Sequence, residues 1–149
     1  MSESPPAGAA QTPKHLWIVG TVTLLWNVMG AFDYVLTETR NESYMGAFTP
    51  EQLEFFYGFP TWVVAFWAIA VWGGLLGSGL LLLRKSLAFP VFVASFVSMS
   101  ITAIHNYGLS NAFDVLGVGG LIFSVLIFLV ALGLVFYAKA MRERGALDG

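Results

Sequence analysis

The chain has 149 residues, of which 57% are hydrophobic and 11% are charged, and its net charge is −2. Because soluble domains carry roughly a quarter charged residues, this composition excludes an ordinary soluble protein and indicates a membrane protein. The sequence has no cysteine, which excludes disulfides, thiol catalysis and cysteine-based metal sites, and it has no large basic cluster that would indicate a nucleic-acid partner.

The elements follow one another from a polar start to a charged end. Residues 1–14 are rich in Pro, Ala and Gly and predict a disordered cytoplasmic tail. Residues 15–139 form one transmembrane domain, and residues 140–149 are predicted to be a second cytoplasmic tail. Each apolar stretch of the domain has the roughly 20 residues that cross a bilayer. The predicted fold is therefore all-α, an up-down bundle of four transmembrane helices at about 15–37, 60–83, 87–107 and 115–138.

A short helix is predicted in the loop between the first and second spans. Thr49, Pro50 and Gln52 have the spacing of an N-cap, a proline in the first turn and a capping-box glutamine. Several apolar and aromatic residues follow them. We expect this helix to lie on the membrane surface.

The seven Lys and Arg residues predict the orientation of the bundle. Arg40 stands alone in the long loop, whereas the other six lie before the first helix, between the second and third, or after the fourth. By the positive-inside rule, both termini are expected to be cytoplasmic. The six residues on that side are Lys14, Arg84, Lys85, Lys139, Arg142 and Arg144.

Small residues predict where the helices pack closely. Gly73, Gly74 and Gly77 in the second helix and Gly120 in the fourth would let neighbouring backbones approach each other. These glycines serve either packing within the chain or self-association. We favour packing within the chain, because a four-helix bundle already needs internal contacts.

Polar residues within the spans are the candidates for a binding site. Asn27, Asp33 and Tyr34 share one face of the first helix, and His105 and Asn106 end the third. Asp33 and His105 should lie at similar depth near the outer surface, where the five could form a vestibule that binds a hydroxylated solute or relays a proton. In the alternative, which we favour, Asp33 and His105 only satisfy local backbone or side-chain groups, because a carboxylate near the interface is tolerated more easily than one at the midplane.

No enzyme motif accompanies these residues. The sequence lacks a metalloprotease helix, a nucleophile elbow and a phosphate-binding loop, and its two histidines, His15 and His105, are predicted at opposite ends. We therefore predict a protein that is not an enzyme and has no cofactor and no metal.

Several short motifs between residues 17 and 100 resemble those of a known family, a group of small four-helix bacterial inner-membrane proteins often labelled as sugar transporters. The resemblance implies a bundle in the bacterial cytoplasmic (inner) membrane and assigns no site residues. Its most specific pieces are Trp26-Asn27 with Gly30 and Tyr34, Pro60-x-Trp62, and Gly73-Gly74-x-x-Gly77 running to Arg84-Lys85.

Two functions remain as hypotheses. The first is transport or binding of a small polar, sugar-like solute by a multi-pass protein whose partners are the lipid bilayer and, in one alternative, further copies of the chain. The second is a non-catalytic accessory or structural subunit of a larger membrane complex, with the glycine faces and the surface helix as its contact surfaces.

Overall fold

The computed structural model describes residues 13–148, and the regular secondary structure of this range is helical, with no strand. A π-helical segment, His105–Leu109, joins the last two α-helices. The first twelve residues of the predicted N-terminal tail lie outside the described range. The α-helices are α1 (Lys14–Glu38), α2 (Glu42–Met45), α3 (Pro50–Tyr57), α4 (Thr61–Leu82), α5 (Ala88–Ile104) and α6 (Ala112–Glu143).

Four helical stretches are long and apolar enough to cross a membrane: α1, α4, α5 together with the π-helical segment, and α6. The predicted number of spans is thus confirmed, and the chain has the character of a multi-pass membrane protein. The first three spans match the predicted limits closely. The fourth differs, because α6 contains 32 residues and extends beyond the predicted span at both ends.

Each spanning helix packs against the next one in sequence, α1 on α4, α4 on α5 and α5 on α6, as an up-down bundle requires. We call the end that holds the start of α1, the α4–α5 turn and the end of α6 the terminal end. There Leu16, Leu81, Phe92, Ala138 and Met141 belong to one buried cluster. We call the opposite end, formed by residues 38–60 and 105–117, the loop end.

The last described residues return to the terminal end. The backbone N–H of Asp148 donates to the carbonyl of Arg84 at 2.7 Å, and the N–H of Ser86 donates to the carbonyl of Asp148 at 2.6 Å. The side chain of Arg84 adds a bond from Nε to the carbonyl of Ala146 at 3.1 Å. The stretch 140–149 was predicted to be a tail. Its described residues, 140–148, continue α6 at first and then pack against the bundle.

Three glycines of α4 lie at contacts between helices. A Cβ built on Gly74 would be 2.6 Å from the amide oxygen of Asn27 in α1, and one on Gly77 would be 2.6 Å from the ring of Phe92 in α5. Gly73 also faces α5, and a Cβ built on it would be 3.1 Å from the Cβ of Ser95. A Cβ does not fit at 2.6 Å unless its neighbour moves, and at 3.1 Å it would be tight, so these glycines let α1 and α5 approach α4 closely.

The helix predicted in the long loop is present as α3, and its capping box is confirmed. The backbone N–H of Gln52 donates to Thr49 Oγ1 at 3.2 Å, and the backbone N–H of Thr49 donates to Gln52 Oε1 at 3.0 Å. Because this reciprocal pair satisfies donors that a helix start leaves free, α3 begins at a defined residue.

Candidate functional site

Asn27 lies within the bundle rather than at its end. Its Nδ2 donates to Ser78 Oγ and to the backbone carbonyl of Thr23, both at 2.9 Å. Ser78 is fully buried in α4, so the amide joins α1 to α4 beside the close approach at Gly74. Such interhelical hydrogen bonds contribute modestly to association in lipid. The contacts of Asn27 are those of a packing residue.

Asp33 holds the long loop against α1. The hydroxyl of Tyr44, in α2, donates a hydrogen bond to the Asp33 carboxylate. Asn41 caps the same short helix by accepting from the backbone N–H of Tyr44 at 3.0 Å. Burial, together with the hydrogen bond and charge of Asp33, raises the pKa of Tyr44 to about 12.

Tyr34 packs among aromatic rings of α4. Its ring centroid is 4.8 Å from that of Trp67 and 6.2 Å from that of Trp72, and both contacts are edge-to-face. This is the geometry that aromatic pairs prefer. Tyr34 therefore shares a helix turn with Asp33 but has a separate environment.

His105 lies at the loop end between aromatic rings and a polar neighbour. Its ring centroid is 5.3 Å from that of Trp62 and 6.2 Å from that of Phe59, and its Nδ1 lies 3.1 Å from Asn106 Oδ1. Across residues 13–148, no hydrogen bond or ion pair joins His105 to Asp33. The structure brings His105 and Asn106 together but gives Asp33 a different partner.

A series of aromatic rings in contact connects Tyr44, the partner of Asp33, to His105. Tyr44 contacts Phe48, Phe48 contacts Phe56, and Phe56 contacts Phe59, with centroid separations of 5.8, 5.2 and 6.5 Å. Phe59 then contacts His105. The loop end is thus covered by edge-to-face aromatic contacts that connect α2 and α3 to the ends of α4 and α5.

A cleft of about 420 Å³ opens at the loop end between α3, the start of α4, the residues after the π-helical segment and the start of α6. We call it the loop-end cleft. Its polar side chains are two carboxylates, an imidazole, a hydroxyl and an amide, and aromatic rings form part of its wall. The polar residues are Glu51, Glu54, His105, Ser110 and Asn111, and the aromatic ones are Phe55 and Phe59.

Of the five residues predicted to form the site, only His105 lines this cleft. Sequence analysis missed Glu51, Glu54, Ser110 and Asn111. Glu51 and Glu54 are three residues apart and share a face of α3. The helix predicted in this loop was therefore enough to place them side by side. Ser110 and Asn111 carry no such signal, because their position depends on how the chain turns between the π-helical segment and α6.

Backbone irregularities flank the cleft. Residues 105–109 form a π-helix, a rare element that occurs often at functional sites. Gly117 interrupts the first turns of α6 with φ 71° and ψ −167°, a conformation that only glycine adopts readily. Nearby, the hydroxyl of Tyr107 lies 2.7 Å from Ser124 Oγ and 3.4 Å from the carbonyl of Gly120, so the π-helical segment is joined to α6 just beyond the break.

Gly120 was predicted to pack helices, and its surroundings differ from those of the α4 glycines. A Cβ built on it would lie 2.4 Å from the side chain of Leu116, one turn earlier in the same helix. The crowding comes from the interruption at Gly117 between these two positions. Gly120 therefore accommodates the bend within α6, and its carbonyl accepts from Tyr107.

The loop end is strongly acidic. Its one Lys or Arg residue is Arg40, whose guanidinium lies 4.3 Å above the ring centroid of Tyr57. The single ion pair in the described chain, Lys85 with Asp148 at 3.6 Å, belongs to the terminal end. The carboxylates of the loop end are those of Glu38, Glu42, Glu51, Glu54 and Asp114, and Asp33 lies in the adjoining last turns of α1.

The cleft offers binding chemistry. Its imidazole, amide and hydroxyl can donate or accept hydrogen bonds, and its carboxylates can accept them or attract positive charge. Within residues 13–148, no group of three or more His, Asp or Glu side chains is placed to hold a metal ion.

Comparison with models of protein families, with curated proteins and with solved structures finds no match to this chain. The resemblance to small inner-membrane proteins therefore stays a prediction.

Proposed function

We propose that this multi-pass membrane protein binds a small polar solute in the loop-end cleft as the first step of its transport. The observation that carries the proposal is the convergence of His105, Asn111 and the two glutamates of α3 on one cleft with aromatic walls. Small-molecule sites are typically concave, of roughly 300–1,000 Å³, and combine apolar walls with a few placed polar groups. The loop-end cleft has this composition and a volume of about 420 Å³.

The interrupted helices next to the cleft favour transport over simple binding. Transporters commonly bind their substrates where spanning helices are broken, because freed backbone groups and local bends can rearrange there. In this chain, the π-helical segment and the break at Gly117 lie in the two helices that border the cleft. A change at either interruption would alter the cleft without disturbing the packed terminal end.

We further propose that the terminal end faces the cytoplasm of a bacterium and the cleft faces outward. Six of the seven Lys and Arg residues lie at the terminal end, which is the asymmetry that the positive-inside rule associates with the cytoplasmic side. In this orientation the cleft would be open to solutes outside the inner membrane.

The test uses the purified full chain in lipid nanodiscs and a panel of neutral, cationic and anionic small solutes. Trp62 contacts His105, so its fluorescence provides an intrinsic signal for binding at the cleft. We expect His105→Ala to weaken binding about ten-fold, because one lost hydrogen bond to a bound group is worth roughly 1–1.5 kcal/mol. His15→Ala is the matched control, since His15 contacts Tyr137 at the terminal end.

Two results would contradict the proposal. One is the absence of saturable binding by any member of the panel. The other is an equal loss of affinity in His105→Ala and His15→Ala, which would place the effect outside the cleft. Flux into liposomes then separates transport from binding, because a binding protein without transport would show affinity but no movement of solute.

The rival function, an accessory subunit, is favoured by one feature of α6. Between Val118 and Gly133 this helix has no fully buried residue, so about half of its length is only partly covered by the rest of the chain. The glycines of α4, by contrast, already contact α1 and α5. An accessory role predicts that a fixed larger complex co-purifies in mild detergent and that Leu126→Trp, on the exposed part of α6, disrupts it.

A further inference from the structure

We infer that the solute of the loop-end cleft is a small organic cation, either a primary amine or a quaternary ammonium ion. This inference rests on the proposed function and adds the chemical class of the substrate. Three features of the cleft carry it: two carboxylates without a cationic partner, aromatic rings beside them, and the acidity of the whole loop end.

Glu51 and Glu54 supply the charge. Both side chains are exposed on α3 and line the cleft, and neither forms an ion pair in the described part of the chain. No Lys or Arg lines the cleft. The nearest candidate in sequence, Arg40, instead stacks on Tyr57. A bound cation would neutralise this charge, whereas a neutral sugar would leave it uncompensated.

Phe55 and Phe59 supply a complementary surface. Their ring centroids are 5.1 Å apart with an angle of 77° between the rings, and both line the same cleft as the two glutamates. The face of an aromatic ring attracts an ammonium group, and aromatic cages are a common way to recognise quaternary ammonium ions. The two carboxylates would repel an anionic solute, and a neutral solute would lack the charge interaction with them.

A metal ion is a poorer fit than an organic cation. Divalent ions require several oxygen or nitrogen ligands around one point, and residues 13–148 contain no such group of His, Asp and Glu. The volume of about 420 Å³ also suits a molecule of several heavy atoms. The acidic loop end would raise the local concentration of cations before they enter, as charged clefts do for their ligands.

The experiment measures the affinity of the full chain in nanodiscs of zwitterionic lipid for three named solutes. Choline carries the positive charge, 3,3-dimethyl-1-butanol has the same shape without it, and glucose is a neutral polar solute. We expect choline to bind at least about five-fold more tightly than its neutral isostere, a difference that corresponds to one favourable charge interaction. Added salt should weaken the binding of choline more than that of glucose.

Two charge-matched variants locate the effect. Glu51→Gln with Glu54→Gln should weaken choline binding about five-fold, since two exposed carboxylates contribute modestly in water. Glu38→Gln with Glu42→Gln removes the same charge from the loop end at residues that do not line the cleft, and it should leave binding nearly unchanged. Phe59→Leu should weaken choline binding about three-fold and leave glucose unaffected. Melting curves of each variant show that it is folded.

The outcomes separate this inference from the proposed function. If glucose binds as tightly as choline and both glutamine pairs behave like the wild type, the cationic class is wrong while solute binding stands. If the Glu38 and Glu42 pair reduces choline binding as strongly as the cleft pair, the attraction belongs to the whole loop end and the site is wrong. If none of the three solutes binds and no other solute of the panel does, both proposals fail.

Discussion

The terminal end and the loop end of the bundle are built from different kinds of contact. At the terminal end, aliphatic side chains such as Leu16 and Leu81 are fully buried, and residues 146–148 complete the packing through backbone hydrogen bonds. At the loop end, aromatic edges replace aliphatic packing, the helices are interrupted, and acidic groups surround an open cleft. The difference indicates that the terminal end is the more tightly packed part of the fold, and it is consistent with the proposal that the loop end binds a solute.

The largest effect on stability is expected when a buried side chain is removed from the terminal end. Leu81→Ala should destabilise the protein by about 2–4 kcal/mol, because the side chain is 0% exposed and its loss leaves a cavity. Leu83, two residues later and 69% exposed, provides the control, and Leu83→Ala should change stability little. Unfolding in mixed micelles measures both. Equal effects would mean that the terminal end is not the stable core.

A slightly smaller effect should follow from crowding the α1–α4 contact. Gly74→Ala places a Cβ where Asn27 Oδ1 would be 2.6 Å away, so we expect a loss of about 1–3 kcal/mol. Gly79→Ala, in the same helix, meets nothing within 4 Å and should be neutral or stabilising. The same unfolding assay compares the two. If both are neutral, α1 and α4 are less closely packed than the structure shows.

A third comparison concerns the hydrogen bond between Asn27 and Ser78. A double-mutant cycle with Asn27→Ala and Ser78→Ala should give a coupling energy of about 0.6 kcal/mol, the usual value for an interhelical bond in a membrane protein. Solute binding at the loop end should be unaffected. A large loss of solute binding in Asn27→Ala would mean that Asn27 belongs to the binding site, as predicted from the sequence.

The smallest effect is a pH dependence at the loop end. The pKa of Tyr44 is raised from 10.0 to about 12, so its stabilising contribution is complete below pH 10 and is lost as the pH rises through 12. Tyr44→Phe should remove this dependence. In a pH titration followed by phenolate absorbance, the variant should form one phenolate fewer near pH 12 than the wild type. If the phenolate that the wild type has in addition to the variant forms near pH 10 rather than near pH 12, Tyr44 does not donate to Asp33.

These comparisons also show which parts of the molecule can be predicted from sequence. The four spans could be located because a bilayer demands long apolar helices whatever the tertiary structure. The capping box of Thr49 and Gln52 is local in sequence, and so it too was predictable. The close approaches at Gly73, Gly74 and Gly77 could be anticipated as a class, but their partners could not.

The cleft was harder to predict because it depends on the rotation and the ends of helices. A vestibule shared by Asp33 and His105 was one of two possibilities, since both lie near the same end, but in the structure Asp33 bonds to Tyr44 while His105 contacts Trp62 and Phe59. The sequence has no marker for a π-helical turn, and the left-handed backbone at Gly117 is one of many conformations open to a glycine. These two interruptions place Ser110 and Asn111 in the cleft.

The measurement that tests the account most directly is hydrogen–deuterium exchange in nanodiscs, with and without the tightest-binding solute of the panel. The account predicts slow exchange at the terminal end in both states and protection by the solute confined to residues 50–60 and 105–117, because these segments form the cleft. Protection that appears instead around the α4–α5 turn, or a terminal end that exchanges as fast as the loop end, would contradict it.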